Sequence, residues 1–336
     1  MRLLIIGGTE FVGRAVAEEA LRRGHEVTTF NRGVTAPDVP GVRPVRGDRA
    51  QDADLDRLRG QEWDVVVDTC GYVPEVVGRA ARLLAGSSGR YVFVSSVSAC
   101  VAWPKERITD DTPRYDCPAD ARADAGEYGY LKAGCERAVE EAFGDRALVV
   151  RPGLILGPYE NVGRLPWWLR RVARGGQVLA PGDPDTRMQL IDARDLAAWM
   201  LDAAERGLGG VFHATGGNTT MGRWLAACVE VTGADAELVW VPDRFLLDHQ
   251  VRPWTELPLW RPDLPEYAGA WEVETARAEA AGLRTRPVRD TVRDTWEWLR
   301  GGGEPVIHDY AQLPEHGIDP GKEQRILTAW RSRGAA

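Results

Sequence analysis

Three residues of this 336-residue chain have the types and spacing for proton transfer at a substrate oxygen: Ser96, Tyr128 and Lys132. Tyr128 and Lys132, in "YGYLK", stand at i and i+4, so a helix places them one turn apart on one face. An ammonium so close stabilises a phenolate and draws the tyrosine toward titration near working pH, which suits it to exchange a proton. Ser96 ends the apolar run "RYVFVSS", which reads as a buried strand, and its hydroxyl can hydrogen-bond the same substrate oxygen. The chain holds three lysines, Lys105, Lys132 and Lys322, so a lysine inside a motif carries weight. A second candidate is "LLIIGGTEFVG", residues 3–13. Gly7 permits a tight turn after a strand and Gly13 lets the following helix pack closely. Backbone N–H groups of the Thr9–Val12 stretch can then hold a pyrophosphate, with Phe11 inside the turn. Glu10 sits at the centre of that turn. A carboxylate facing a pyrophosphate would be repelled, so Glu10 is expected to point away, neutralised by Arg14 or Arg32.

The elements that position these residues follow from hydrophobic period. "RLLII" (2–6) reads as a buried parallel strand and "VGRAVAEEALRR" (12–23) as a helix stopped by Gly24. Further strands are read at 25–30, within 42–48, at 63–70 and at 90–96, with helices between. Five alternations predict an α/β fold, a doubly wound parallel sheet of Rossmann type. Ligands of such sheets lie at the carboxyl ends of the strands. Those ends carry Gly7–Gly13, Asn31 and Arg32, Asp48, Thr69, Cys70 and Gly71, and Ser96 and Ser98. An acid after the second strand would bind ribose hydroxyls of NAD, whereas an arginine accommodates the 2′-phosphate of NADP. Arg32 stands there without an acid, which favours NADP over NAD.

A Pro- and Asp-rich stretch from Cys100 to Gly126 reads as a long loop. A helix at 128–143 and a strand at 147–156 follow. From about Gly157 tryptophan and proline become dense, which predicts a smaller C-terminal substrate lobe. The expected division is 1–156 for the dinucleotide-binding domain with return segments near 188–213, 157–187 and 214–300 for the lobe, and 301–336 as a tail. That tail should begin as a flexible linker and end in a short helix. Ser98, Trp103, Asn161, Arg164, Trp167, Trp168, Arg187 and Gln189 are the residues expected to line the substrate site.

The formal net charge of -8 and pI near 5.3 oppose sequence-independent nucleic-acid binding, which needs a basic surface. Five cysteines without C-x-x-C spacing suggest a reducing compartment, and five scattered histidines argue against a metal. No apolar run suits a signal peptide or a membrane span. A soluble, cytoplasmic protein is expected.

The order of "GGTEFVG", "YVFVSSVSA", "YGYLK", "RPGLILGP" and "LIDARDLAAWMLDAAE" resembles the extended short-chain dehydrogenase/reductases of the NAD-dependent epimerase/dehydratase group. The likeness runs over residues 1–300 and includes "GD" at 47–48 and "EAAGLRTRPVRDTVRDTWEWL". It implies catalytic roles for Ser96, Tyr128 and Lys132, with Lys132 also holding the ribose. It implies that Pro152 and Gly153 border the nicotinamide, that Asp48 approaches the adenine, and that copies pair as a homodimer through a helix bundle. Two positions depart from the pattern: Glu10 replaces the middle glycine, and Cys100 replaces a common aromatic, which counts against a nucleotide-sugar substrate. The expected activity is hydride transfer between NAD(P) and a small carbonyl or alcohol. The alternatives are a cofactor-retaining sugar epimerase or dehydratase, and a non-catalytic or RNA-binding relative like the chloroplast stem-loop binding proteins, which share the "GGT-x-F" turn.

Overall fold

The structure, a computed structural model, describes residues 1–305 and 316–334. The first half of the chain supplies strands β1 (Arg2–Ile6), β2 (Glu26–Asn31), β3 (Arg43–Arg46), β4 (Trp63–Asp68), β5 (Ser88–Val94) and β6 (Ala147–Pro152). The second half supplies β7 (Leu154–Leu156), β8 (Gly176–Pro181), β9 (Arg187–Asp192), β10 (Gly210–Ala214), β11 (Asn218–Thr220) and β12 (Ala236–Val241). The first helices are α1 (Phe11–Arg22), α2 (Asp52–Leu55), α3 (Pro74–Leu84), α4 (Tyr128–Phe143), α5 (Arg164–Ala173) and α6 (Ala193–Glu205). There follow α7 (Met221–Thr232), α8 (Asp243–Asp248), α9 (Ala276–Ala280), α10 (Val288–Arg300) and α11 (Pro320–Gly334).

Seven parallel strands in the order β10-β6-β5-β4-β1-β2-β3 make the central sheet. The unbroken apolar run of β1 follows from its central place, because both of its faces are covered. Leu3 and Ile5 pack with Val16 of α1 and Leu196 and Met200 of α6. Leu4 and Ile6 point the other way, into Val77 and Ala81 of α3 and Val139 of α4. The sheet is thus doubly wound, as the alternation predicts.

One expected strand is two. The run 147–156 divides at Gly153: β6 belongs to the central sheet, while β7 pairs with β9 in a second, three-stranded sheet. A side chain at Gly153 would put its Cβ 2.5 Å from Thr215 Oγ1, so the chain can turn there only as glycine. The fifth strand ends at Val94, which leaves Ser95 and Ser96 just beyond the sheet edge.

The tryptophan-rich second half has its own apolar core of Leu165, Trp168, Leu169, Trp224, Leu225 and Val292. The C-terminal segment joins it. Ile318, Ile326 and Leu327 are buried in that core. Arg171 of α5 donates from Nε to both oxygens of Glu323 at 2.9 and 2.7 Å, and Glu323 also accepts from Leu179 N at 3.1 Å. The segment after residue 316 is therefore a docked helix and not a loose end. The linker expected after Gly301 falls largely on 306–315, outside the described residues. Among the described residues no helix is long and apolar enough to cross a membrane.

Arg171 and Glu323 are both buried, so removing one leaves the other charge uncompensated. Glu323→Ala should cost about 3 kcal/mol of stability, read as a lower urea midpoint with faster hydrogen exchange in α11.

Candidate functional site

The turn between β1 and α1 has the shape of an anion cradle. Gly7 and Gly8 take φ of 108° and 94°, and Phe11, at 37°, takes a conformation that non-glycine residues seldom adopt. A Cβ on Gly13 would lie 2.7 Å from Thr69 Oγ1 and 2.8 Å from Gly8 N, so the helix can begin this close to the strands only through glycine. Glu10 is the N-cap residue but makes no side-chain cap, and the first turn of α1 holds no acid. The leading N–H groups and the positive end of the helix dipole thus suit a pyrophosphate. Arg14 pairs with Glu18 at 2.8 Å and stacks over Tyr159 at 4.3 Å.

The strand ends beside the turn are largely engaged. Asn31 donates to Gly7 O at 3.1 Å and accepts from Arg46 at 2.7 Å, which ties β2 to the cradle. Thr69 and Cys70 lean on Ile6 O. Beneath them Arg49 grips Asp68 at 2.6 and 2.7 Å, with Tyr91 OH donating to the same carboxylate at 2.8 Å. Asp48 accepts from Ala50 N at 2.9 Å, a local turn that already uses one carboxylate oxygen. Arg32 is exposed at the rim.

Ser96, Tyr128 and Lys132 meet at the carboxyl edge of β5. Tyr128 opens α4 and is 49% exposed, while Lys132, one turn deeper, is 3% exposed. Lys132 Nζ donates to Val94 O at 2.6 Å and to Gly71 O at 2.8 Å, and lies 4.4 Å from the Phe93 ring centroid. Two strand ends thereby fix the ammonium, with its third hydrogen left for another acceptor. The first turn of α4 presses on the Ser96–Ala99 turn: a Cβ on Gly129 would lie 2.1 Å from Ser98 O. The middle glycine of "YGYLK" is therefore what brings Tyr128 to the serine segment. Ser96 Oγ accepts from Ser98 N at 3.1 Å.

Under this edge lies a polar network that the sequence reading missed. Glu136, fully buried, receives Arg151 Nε and Nη2 at 2.8 and 2.7 Å and Ser95 Oγ at 2.5 Å. Arg151 Nη1 also reaches Cys100 Sγ and His213 Nε2, each at 3.4 Å. Burial first, and Arg151 second, hold the His213 imidazole down at about 4. The available signal was Glu136 at i+4 from Lys132, on the buried face of the same helix.

The expected substrate residues separate into two groups. Trp103, Arg164 and Arg187 line one continuous wall. Arg261 lies 5.0 Å from the Trp103 ring centroid, 4.1 Å from that of Trp254 and 5.3 Å from that of Tyr267. Arg164 lies 5.1 Å from the other side of the row, at Trp254, and within Coulombic reach of Tyr128. A cleft of about 570 Å³ continues past Arg261 and Tyr267 to Arg107 and Arg187, with Asp183, Asp243, Asp263, Glu272 and Glu274 also along it. Burial lowers Arg261 to about 10 and lowers Arg164 as well. Trp168 does not face this cleft. It is fully buried and donates from Nε1 to Pro258 O at 2.8 Å, because the second core needs its bulk. Gln189 borders the cleft but spends both ends of its amide on Val273, at 2.9 and 2.8 Å. Trp167 is half-buried against Gly317, and Asn161 lies in the turn before α5. Arg261 and Trp254 were absent from the expected set, since nothing in their local sequence marks them.

Residues 3–213 match the model of the NAD dependent epimerase/dehydratase family. The chain belongs to that family. Its fold is also that of the Bordetella bronchiseptica enzyme WbmH, solved with NAD+, at 20% identity and a TM-score of 0.67 over 90% of this chain and 99% of the other. The Thermus thermophilus UDP-glucose 4-epimerase, solved with NAD, superposes with a TM-score of 0.65 at 20% identity, again over 90% and 99%. A curated relative, the chloroplast stem-loop binding protein of 41 kDa b of Arabidopsis thaliana, is 26% identical over 218 residues, 60% of this chain. The chain spans about half, 54%, of that relative's length.

In this family member a buried acid stands at the start of the helix that carries Arg164. Glu160 caps α5, accepting from Arg164 N at 2.9 Å and Leu165 N at 3.2 Å. Burial raises its carboxyl from 4.5 to about 7, against the pull of Arg164. Between those values the folded chain keeps a proton that the unfolded chain has lost, so stability falls as pH rises through that window. Glu160→Gln, neutral throughout, should lack this slope. Melting temperatures of both proteins from about pH 4.5 to 7.5 would show wild type losing ground to the variant as pH rises.

Proposed function

We propose that this epimerase/dehydratase family member is an NAD(P)-dependent oxidoreductase acting on the hydroxyl or carbonyl carbon of a small substrate that carries an anionic group. The observation that supports it best is Lys132. Its ammonium is pinned by the carbonyls of Val94 and Gly71 one turn beneath the exposed Tyr128, beside Ser96. The glycine cradle at Gly7–Gly13 fits a dinucleotide, because a Cβ at Gly13 would fill it and its N–H groups face outward from an uncapped helix start. When bound, a nicotinamide supplies or accepts the hydride. Tyr128 exchanges the proton with the substrate oxygen. Ser96 hydrogen-bonds that oxygen and polarises it. Lys132 places positive charge under both and keeps one N–H for a ribose hydroxyl. Arg164 and Arg261, desolvated and with no ion pair to a carboxylate among the described residues, favour a phosphate or carboxylate on the substrate.

Arg32 at the end of β2 supports NADP over NAD. The nearest acid, Asp38, is already held by Arg46. A second reading, a cofactor-retaining epimerase, draws on the fold shared with the Thermus enzyme. It differs in leaving absorbance at 340 nm unchanged while NMR shows an inverted product. RNA binding, which the Arabidopsis relative's name raises, is opposed by the net charge of -8.

Tyr128→Phe should lower turnover by roughly 100-fold or more with dinucleotide affinity kept, measured at 340 nm across phosphorylated and carboxylated hydroxy compounds. Near wild-type turnover in that variant would end the mechanism. Arg32→Ala should weaken NADP+ by about 10-fold, the loss of one charge-assisted contact. NAD+ affinity, titrated by calorimetry, should not change.

A further inference from the structure

The wall beside Tyr128 is marked by polar atoms that the protein itself does not satisfy. Arg164 Nε, Arg261 Nε, Trp103 Nε1, Thr255 Oγ1 and both ring nitrogens of His316 are buried atoms, and none has a hydrogen-bond partner among the described residues. Buried polar groups are normally paired, so several orphans along one wall point to a ligand that completes them. They are mostly donors, which calls for an acceptor-rich group.

His316 is unlike the others in where it comes from. It lies about a hundred residues beyond the stretch that matches the family, which ends at residue 213. Three contacts deliver it. Gly317 N donates to Thr255 O at 2.9 Å, and a Cβ on Gly317 would lie 2.0 Å from Trp167 Nε1, so this crossing needs glycine. Ile318 is buried in the second core. The buried Arg171–Glu323 pair then locks the following helix. The imidazole is thereby tied to Thr255, the neighbour of the Trp254 ring over which Arg164 lies at 5.1 Å, and Arg164's charge reaches it.

We infer that His316, carried in by the docked C-terminal segment, is a substrate-contacting residue that works with Arg164 to hold the anionic group of the substrate. This rests on the oxidoreductase reading above, and on its anionic substrate in particular. Burial first, and the Arg164 charge second, hold the imidazole at about 4; the Thr255 carbonyl, near the ring but short of hydrogen-bond geometry, pulls the other way. The ring is neutral at pH 7 and offers one donor and one acceptor. An anion seated beside it would favour the imidazolium and raise that value, whereas a neutral hydroxyl would not.

The test uses the full chain saturated with NADP+, so that the pyrophosphate cradle is filled, and inorganic phosphate as the probe. The His316 Cε1–Hε1 NMR signal is assigned by its loss in His316→Asn. Phosphate should shift this signal saturably and raise the pH midpoint of the ring. It should bind roughly 10-fold more weakly to His316→Asn, the loss of one contact to a charged group, with the melting temperature kept. Arg164→Met should weaken it as well. If phosphate binds in an Arg164-dependent way while the His316 signal stays still, the role of His316 is overturned and the anionic-substrate reading stands. If phosphate does not bind the NADP+ complex at all, both fall. The dinucleotide site, scored by the NADP+ titration itself, is judged separately.

Discussion

The buried carboxylate of Glu136 is the constraint on which the site depends. It accepts from Arg151 twice, from Ser95 once and from Arg114 once, with no exposure to solvent. With Ser95 and Arg151 it joins three different elements. Glu136 is one turn below Lys132 on α4, Ser95 precedes Ser96 at the end of β5, and Arg151 precedes Pro152 and Gly153 at the end of β6. One ion pair therefore sets the distances among the serine, the tyrosine–lysine helix and the segment beside the cradle. A buried pair of this kind adds little net stability, but losing one partner leaves an uncompensated charge, so the arrangement is held in a single geometry.

Around that anchor the charges are sorted by role. Acids and bases that only hold structure are paired: Arg49 with Asp68, Arg171 with Glu323, Arg194 with Asp192. Lys132, Arg164 and Arg261 are different. They are partly or wholly desolvated and meet carbonyls or aromatic faces, with no carboxylate ion pair among the described residues. Keeping cations desolvated and unpaired is costly, so they are expected where negative charge arrives or develops. The uncapped start of α1 follows the same logic with backbone dipoles. An overall charge of -8 thus coexists with local desolvated cations at Lys132, Arg164 and Arg261.

The fold was legible, and the candidate serine, tyrosine and lysine could be picked out, because each has a local signature. The β1 run, the glycine turn and the i, i+4 spacing of Tyr128 and Lys132 are short-range patterns that sterics and period dictate. The substrate wall was only half legible. Arg164 follows a turn and begins a helix, and its place could be read. Trp168 has the same chemistry as Trp103 in sequence terms, yet one fills a core and the other faces a cleft. That choice depends on which face of α5 meets α7 and the Pro258 carbonyl. Arg261 and His316 gain meaning from distant residues as well as near ones: Arg261 lies over Trp103, far back in the chain, and His316 enters beside Thr255.

The sequence by itself determined the doubly wound sheet, the anion turn and the tyrosine–lysine pair, since each arises from backbone period and neighbours within one helical turn. Tertiary structure alone decided the break at Gly153, the docking of α11 on Arg171 and the assembly of the arginine–aromatic wall. These depend on close approach between distant segments, where a carbonyl or a ring 2–3 Å from a missing Cβ settles what fits.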